Sequence, residues 1–224
     1  MREEEIEING NSFKYEMQKY STSRNIKLRI NKDGKIKVSL PKYIPYLVAK
    51  KFVKNNSSWI EKKLDLLKFQ KNKYYYLGNN IDLIKKESIN NKRLKYIFKN
   101  DRLIVQKNSI NEFSDDELFF GWLKIQAENY IPHRVKELAD KYKFQFKGLQ
   151  LKNLTSRWGS CSSKKILSFN VKLMYFNYDV IDYVIIHELC HLKEMNHSAK
   201  FWKLVNSIVP EYNVYRKELN KIIL

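Results

Sequence analysis

Tyr183-Val-Ile-Ile-His187-Glu188-Leu-Cys-His191-Leu-Lys-Glu-Met-Asn-His197 is the stretch around which the chain is read. On a helix, His187 and His191 lie one turn apart and leave from the same face. Two neutral imidazoles at that spacing can hold one zinc ion. Glu188 projects beside them, close enough to take a proton from a water on that metal without ligating it. His197 follows six residues after His191. The chain has four His, at 133, 187, 191 and 197, and three of them fall within eleven residues, a clustering that chance rarely gives. Two competing readings are an accidental pair of His and a structural zinc. A structural zinc takes four protein ligands, often Cys. Cys190, one position before His191, points to a different helix face, and a structural site has no use for Glu188 as a base.

Working outward, Asp179 is the expected cap of the helix that carries H-E-x-x-H. Before it, strand patterns cover Phe144–Lys147, Leu149–Leu154 and Ile166–Phe176, with a loop of small residues at Ser156–Ser163. After it, Ser198 can cap a helix with Phe201, Trp202, Leu204 and Val205. Pro210 breaks that helix, and Val214, Leu219 and Ile222 suggest a last one. Upstream, Ser114-Asp115-Asp116-Glu117 opens a helix that should run to about Lys143. Its expected buried stripe is Leu118, Trp122, Ile125, Ile131, Val135, Leu138 and Tyr142, with Pro132 a kink site. His133, alone there, reads as an ordinary, partly buried residue.

Further towards the N-terminus, Lys27–Ile30 and Lys35–Leu40 alternate around Asp33-Gly34 and read as a β-hairpin ended by Pro41. Residues 45–69 carry Leu47, Val48, Phe52, Val53, Trp59, Ile60, Leu64 and Leu67 at helical spacing. A break is expected near Asn55–Ser58, with Ser57 or Ser58 capping the second half. Residues 74–106 suggest four more strands, with turns at Gly78-Asn79-Asn80 and Lys99-Asn100-Asp101. The expected fold class is α+β. A strand-rich region with one helix spans 1–110, and a domain with a mixed sheet and the H-E-x-x-H helix spans 111–224.

Composition narrows the class. With 224 residues, 43% hydrophobic and 14% aromatic, the chain can bury a core. No run of about 18 apolar residues suggests a membrane span. The acidic N-terminus is no secretory signal, and two Cys in unrelated contexts give no disulfide framework. A reducing cytoplasm is the expected compartment. Lys and Arg number 43 against 24 Asp and Glu, a net charge of +19. Such a surface attracts polyanions, including nucleic acid, without specificity. A chain rich in Lys, Asn and Ile also reflects an AT-rich coding bias, and both readings stand.

The chain resembles the YgjP-like zinc metallopeptidase family, a relative of the gluzincin and SprT-like groups. The residues that carry the resemblance are Ser156-Arg157-Trp158-Gly159-Ser160-Cys161-Ser162, Leu167–Asn170, Val180–Val184, His187–Leu192, Asn196-His197-Ser198 and Phe201-Trp202. The span Arg29–Leu64 matches the family's opening sheet and helix more weakly. The resemblance implies a zincin-like catalytic domain and makes His197 the third zinc ligand, with water in the fourth position. Metzincins share the His191–His197 spacing but have Gly where this chain has Glu194. Asn196, tolerant of left-handed angles, is the candidate for the turn.

On this reading zinc lowers the pKa of its water to roughly 7 and Glu188 takes the proton. Arg157, on the loop that matches the family, is the candidate for oxyanion stabilisation, against loop anchoring by a salt bridge. Trp158 and Trp202 read as packing residues. Asn170 either holds a ligand or substrate backbone or makes structural hydrogen bonds, and Glu194 and Asp182 are candidates to orient the His rings. A peptide or protein substrate could pair with strand 166–176. The alternatives are zinc-dependent hydrolysis of a nucleotide phosphoanhydride, a nucleic-acid-associated SprT-like protease, and a non-enzymatic nucleic-acid-binding module with a structural zinc.

Overall fold

The computed structural model describes residues 2–31, 33–70, 74–89 and 91–222, apart from the side chains of residues 66 and 68–70. Lys32, in the first expected turn, lies outside them. Two compact units are present, Met1–Lys71 and Asn72–Ile222.

The first unit opens with strands β1 (Arg2–Ile8) and β2 (Asn11–Tyr20), paired antiparallel. Asn9 and Gly10, both at positive φ, make the two-residue turn, a conformation Asn and Gly tolerate best. Strands β3 (Lys27–Ile30) and β4 (Ile36–Pro41) form the expected hairpin. It is closed by Gly34 N donating to Asn31 O at 3.0 Å. The parallel pairing of β2 with β4 gives the order β1-β2-β4-β3. Helices α1 (Tyr46–Asn55) and α2 (Ser57–Gln70) follow, and the expected break falls at Asn56, whose side chain donates to Phe52 O at 2.8 Å. Met17, Val38, Leu40, Ala49, Val53 and Ile60 lie in this unit's core, whereas Leu47, Val48 and Trp59 of the expected apolar stripe are exposed.

In the second unit β5 (Tyr74–Tyr76), β6 (Asn79–Glu87), β7 (Lys95–Lys99) and β8 (Arg102–Lys107) repeat the same plan in the order β5-β6-β8-β7. The first turn is Leu77-Gly78, one residue earlier than the sequence suggested. The sequence reading put a boundary between residues 110 and 111. These strands instead share a core with the following helix, through Ile81, Leu103 and Val105 beside Leu118, Phe119 and Trp122.

That helix, α3 (Asp115–Lys141), starts on a full capping box: Glu117 N donates to Ser114 Oγ and Ser114 N donates back to the Glu117 carboxylate. Its buried positions include Phe119, Leu123 and Ala127, while Ile125 is exposed. His133 is largely exposed, its side chain 76% accessible, with Glu137 at 3.5 Å, and so is not the partly buried residue expected.

Strands β9 (Gly148–Lys152), β10 (Gly159–Cys161) and β11 (Ile166–Asn170) form a mixed sheet ordered β10-β11-β9. Three expectations change here. Residues 144–147 are not strand. The loop after Ser156 contains an edge strand. The strand expected to run to Phe176 stops at Asn170, because Asn170 Oδ1 accepts from Lys172 N at 3.1 Å and caps a 3-10 turn over Val171–Tyr175. With β10 and β9 on its two sides, β11 has no free edge for a peptide.

Helices α4 (Tyr178–Cys190), α5 (Ala199–Ile208) and α6 (Tyr212–Leu219) complete the unit. Asn177, rather than Asp179, caps α4, and Ser198 caps α5 as expected. The architecture is mixed α+β with six helices among the described residues. No helix among them is long and apolar enough to cross a membrane.

Candidate metal centre

Helix α4 is apolar on nearly every side, with Val180, Ile181, Val184, Ile185, Ile186 and Leu189 all buried. A helix so enclosed holds its last turn rigidly. That turn presents His187 and Glu188, and His191 sits at the C-cap. The chain then turns through bonds from Leu192 N to Leu189 O and from Glu194 N to Cys190 O. Asn196 is not among the residues at positive φ, so the left-handed turn expected there does not occur.

The turn returns His197 to the helix. The candidate ligand atoms of His187, His191 and His197 all lie within 4.8 Å of one another. Nε2 of His187 and Nε2 of His197 are 3.1 Å apart. Two ligands of a tetrahedral zinc keep about 3.3 Å between them, so the spacing suits that ion. His191 Nδ1 lies 3.0 Å from Glu194 O. A carbonyl only accepts, so Nδ1 carries the proton and Nε2 keeps a lone pair for a metal. The Glu194 backbone thus orients a ring where its side chain was the candidate. Asp182 orients none: it forms a two-pronged pair with Arg134 of α3, at 2.8 and 2.5 Å.

Phe201, fully buried on α5, lies under the cluster. Its ring centre is 4.9 Å from His187, 4.4 Å from His191 and 4.8 Å from His197. Trp202 forms a side wall, stacked near His197 (5.6 Å) and Tyr212 (5.2 Å). Trp158 packs edge-on against Phe176.

Glu188 is 6% exposed, and its Oε2 has no hydrogen-bond partner among the described residues, nor has Nδ1 of His187. Burial pushes the Glu188 carboxyl up to about 8, and the charge of Arg157 opposes the shift. Burial, with His191, His197 and Arg216 adding to it, takes His187 down to about 3. His191 is also lowered, chiefly by burial. Neutral imidazoles are the metal-binding form. Burial raises both thiols, Cys190 to about 12 and Cys161 with a contribution from Glu188, so neither is a thiolate near neutral pH. The donor set is therefore three imidazoles, with the buried Glu188 carboxyl next in sequence to the first of them, and it fits zinc with an open position.

Opposite the helix, Gly159 of β10 lies against Glu188. A Cβ there would meet Glu188 Cγ at 2.7 Å and Oε1 at 2.8 Å. The loop before it is pinned by Asn170, which is fully buried and donates through Nδ2 to the carbonyls of Leu154 (2.8 Å) and Arg157 (3.1 Å). Asn170 therefore makes structural hydrogen bonds. Arg157 itself is exposed and has no ion-pair partner among the described residues, so the alternative of anchoring by a salt bridge finds none. Gly159, Phe201 and the Trp202 wall carry roles that the sequence reading did not assign, although all three lie inside the quoted motifs.

A family model described as YgjP-like, metallopeptidase domain, matches residues 24–222. The chain belongs to that family. As a YgjP-like protein it is a metal-dependent peptidase. Two crystal structures of metallopeptidase zymogens are similar to part of this YgjP-like chain. Abylysin of Pyrococcus abyssi is 19% identical, over 42% of this chain and 99% of its own, with a TM-score of 0.36. Jannalysin of Methanocaldococcus jannaschii is 23% identical, over 41% and 94%, with a TM-score of 0.37. No curated protein matches the YgjP-like sequence.

Proposed function

We propose that the protein is a zinc-dependent peptidase, with His187, His191 and His197 as ligands and Glu188 as general base. One observation carries the reading: three clustered imidazoles gather at the helix turn that also carries a buried carboxyl, Glu188, whose Oε2 has no partner among the described residues. Zinc, when bound, supplies a Lewis acid that acidifies water and polarises a carbonyl. Glu188 accepts the water's proton on Oε2 and returns it to the leaving amine. Gly159 leaves room for that carboxylate beside β10. Arg157 offers its charge to the developing oxyanion. The substrate adds as an extended strand along the outer edge of β10, the edge strand of the mixed sheet, in place of the enclosed β11.

Metal analysis of the purified protein should give about one zinc per chain. Glu188→Gln should keep that zinc and lose at least about 100-fold in turnover, and His197→Ala should bind zinc more weakly. Turnover that survives Glu188→Gln would remove the base assignment. Cleavage of an unfolded protein, set against phosphate release from nucleoside triphosphates, separates the peptidase from a phosphoanhydride hydrolase.

A further inference from the structure

Arg216 lies on α6 with its guanidinium carbon 5.3 Å from the centre of the Trp202 ring. That ring is 5.6 Å from His197 and 5.8 Å from His187, so one indole neighbours both the guanidinium and two of the three imidazoles. Arg216 is exposed and has no ion-pair partner among the described residues. Two acids of the same segment are engaged elsewhere: Glu211 accepts from the Tyr215 hydroxyl at 3.3 Å, and Glu218 pairs with Lys221 at 2.5 Å. Stacking on an aromatic face fixes the guanidinium plane and leaves its N–H edge free for a planar, two-pronged acceptor.

The charge of Arg216 reaches the site, where it helps lower His187 and offsets the upward shift of Tyr183. Arg157, also exposed and without an ion-pair partner, acts on Glu188 from the β10 side. Asp182 does not balance either, because Arg134 holds it. A dication among the imidazoles would add to this positive field. The peptide that suits such a cleft carries negative charge near the bond to be cut.

We propose that Arg216 is a specificity residue that binds a carboxylate side chain of the substrate, so that the enzyme selects acidic peptide sequences. The proposal rests on the peptidase reading. Its test is made by binding, which needs no turnover. Fluorescent peptides with Asp and Glu at the central positions, and their Asn and Gln counterparts, are titrated into full-length, zinc-loaded Glu188→Gln protein. The acidic set should bind tighter by about tenfold to a hundredfold, as for a charge-assisted pair. Adding Arg216→Gln should cut that ratio at least about fivefold with zinc content unchanged. Arg216→Lys should keep part of it, and Arg216→Glu should invert it. Equal affinity for the two sets, or a ratio that survives Arg216→Gln, overturns the proposal. An Arg216-dependent ratio, with neither set cleaved by the zinc-loaded protein that retains Glu188, sustains the carboxylate site and sinks the peptidase reading instead.

Discussion

Gly159→Ala isolates the geometry of the proposed base, Glu188. The added methyl would sit 2.7 Å from Glu188 Cγ and 2.8 Å from Oε1. Carbons in good contact keep about 3.5–4.0 Å, so one side must yield by roughly 1 Å. The strand resists, because Gly159 is paired with Phe169 and Asn170 N donates to Trp158 O at 2.9 Å. The Glu188 side chain is the softer partner and moves away from β10. A misplacement of about 1 Å in a catalytic group costs on the order of 100-fold, equivalent to about 2.7 kcal/mol of transition-state stabilisation. Peptide kcat/KM should fall by about that factor. Zinc content should persist, and overpacking should lower stability by roughly 1–3 kcal/mol. Gly148→Ala is the control in the same sheet, since its methyl would meet Ile166 at 3.8 Å, an ordinary contact. If Gly159→Ala keeps kcat/KM within about threefold of the parent, the claim that this glycine shapes the base is refuted.

Two further outcomes follow from buried groups. Asn170→Ala removes both bonds that pin the Arg157 loop; at roughly 1–3 kcal/mol for an unsatisfied partner, the melting temperature should fall by several degrees, and limited proteolysis should cut between residues 153 and 158. In the metal-free protein the folded pKa of Glu188, about 8, lies above its unfolded value, so its contribution to stability is complete below about pH 4.5 and is lost as pH rises through 8. His187, lowered from 6.5 to about 3, runs the other way, and its contribution is complete above pH 6.5. Between pH 6.5 and 8 the Glu188 effect is unopposed, so thermal melts in chelator should show a falling melting temperature that Glu188→Gln abolishes.

Legibility in the sequence followed the range of the interactions involved. The Asp33-Gly34 hairpin and the Ser114 capping box are written in a few adjacent residues, and both form as read. Asn9-Gly10 is as plain a turn signal, and it closes the first hairpin of the chain. The strand expected over 166–176 ends early because an Asn side chain competes for the backbone at residue 172, an event with no periodic signature. Asn177 and Asp179 are both good caps; the sequence reading took Asp179, whereas Asn177 caps the helix. Ile125 lies off the buried face because that face turns along the 27 residues of α3, from the aromatic rings of β5 to the mixed sheet. At the site, the spacing of His187, Glu188 and His191 is local and legible. The wall opposite Glu188 comes from a residue 29 positions earlier, and only the folded sheet brings it there.

Phe201 has a consequence for how the centre fails. The ring beneath all three imidazoles belongs to the helix that follows the last of them, and it is also a member of the hydrophobic core. Metal affinity and core integrity therefore share one side chain. Loss of the ion and undocking of α5 become two views of a single event. A truncation at Phe201, chemically inert towards zinc, would mimic a chelator.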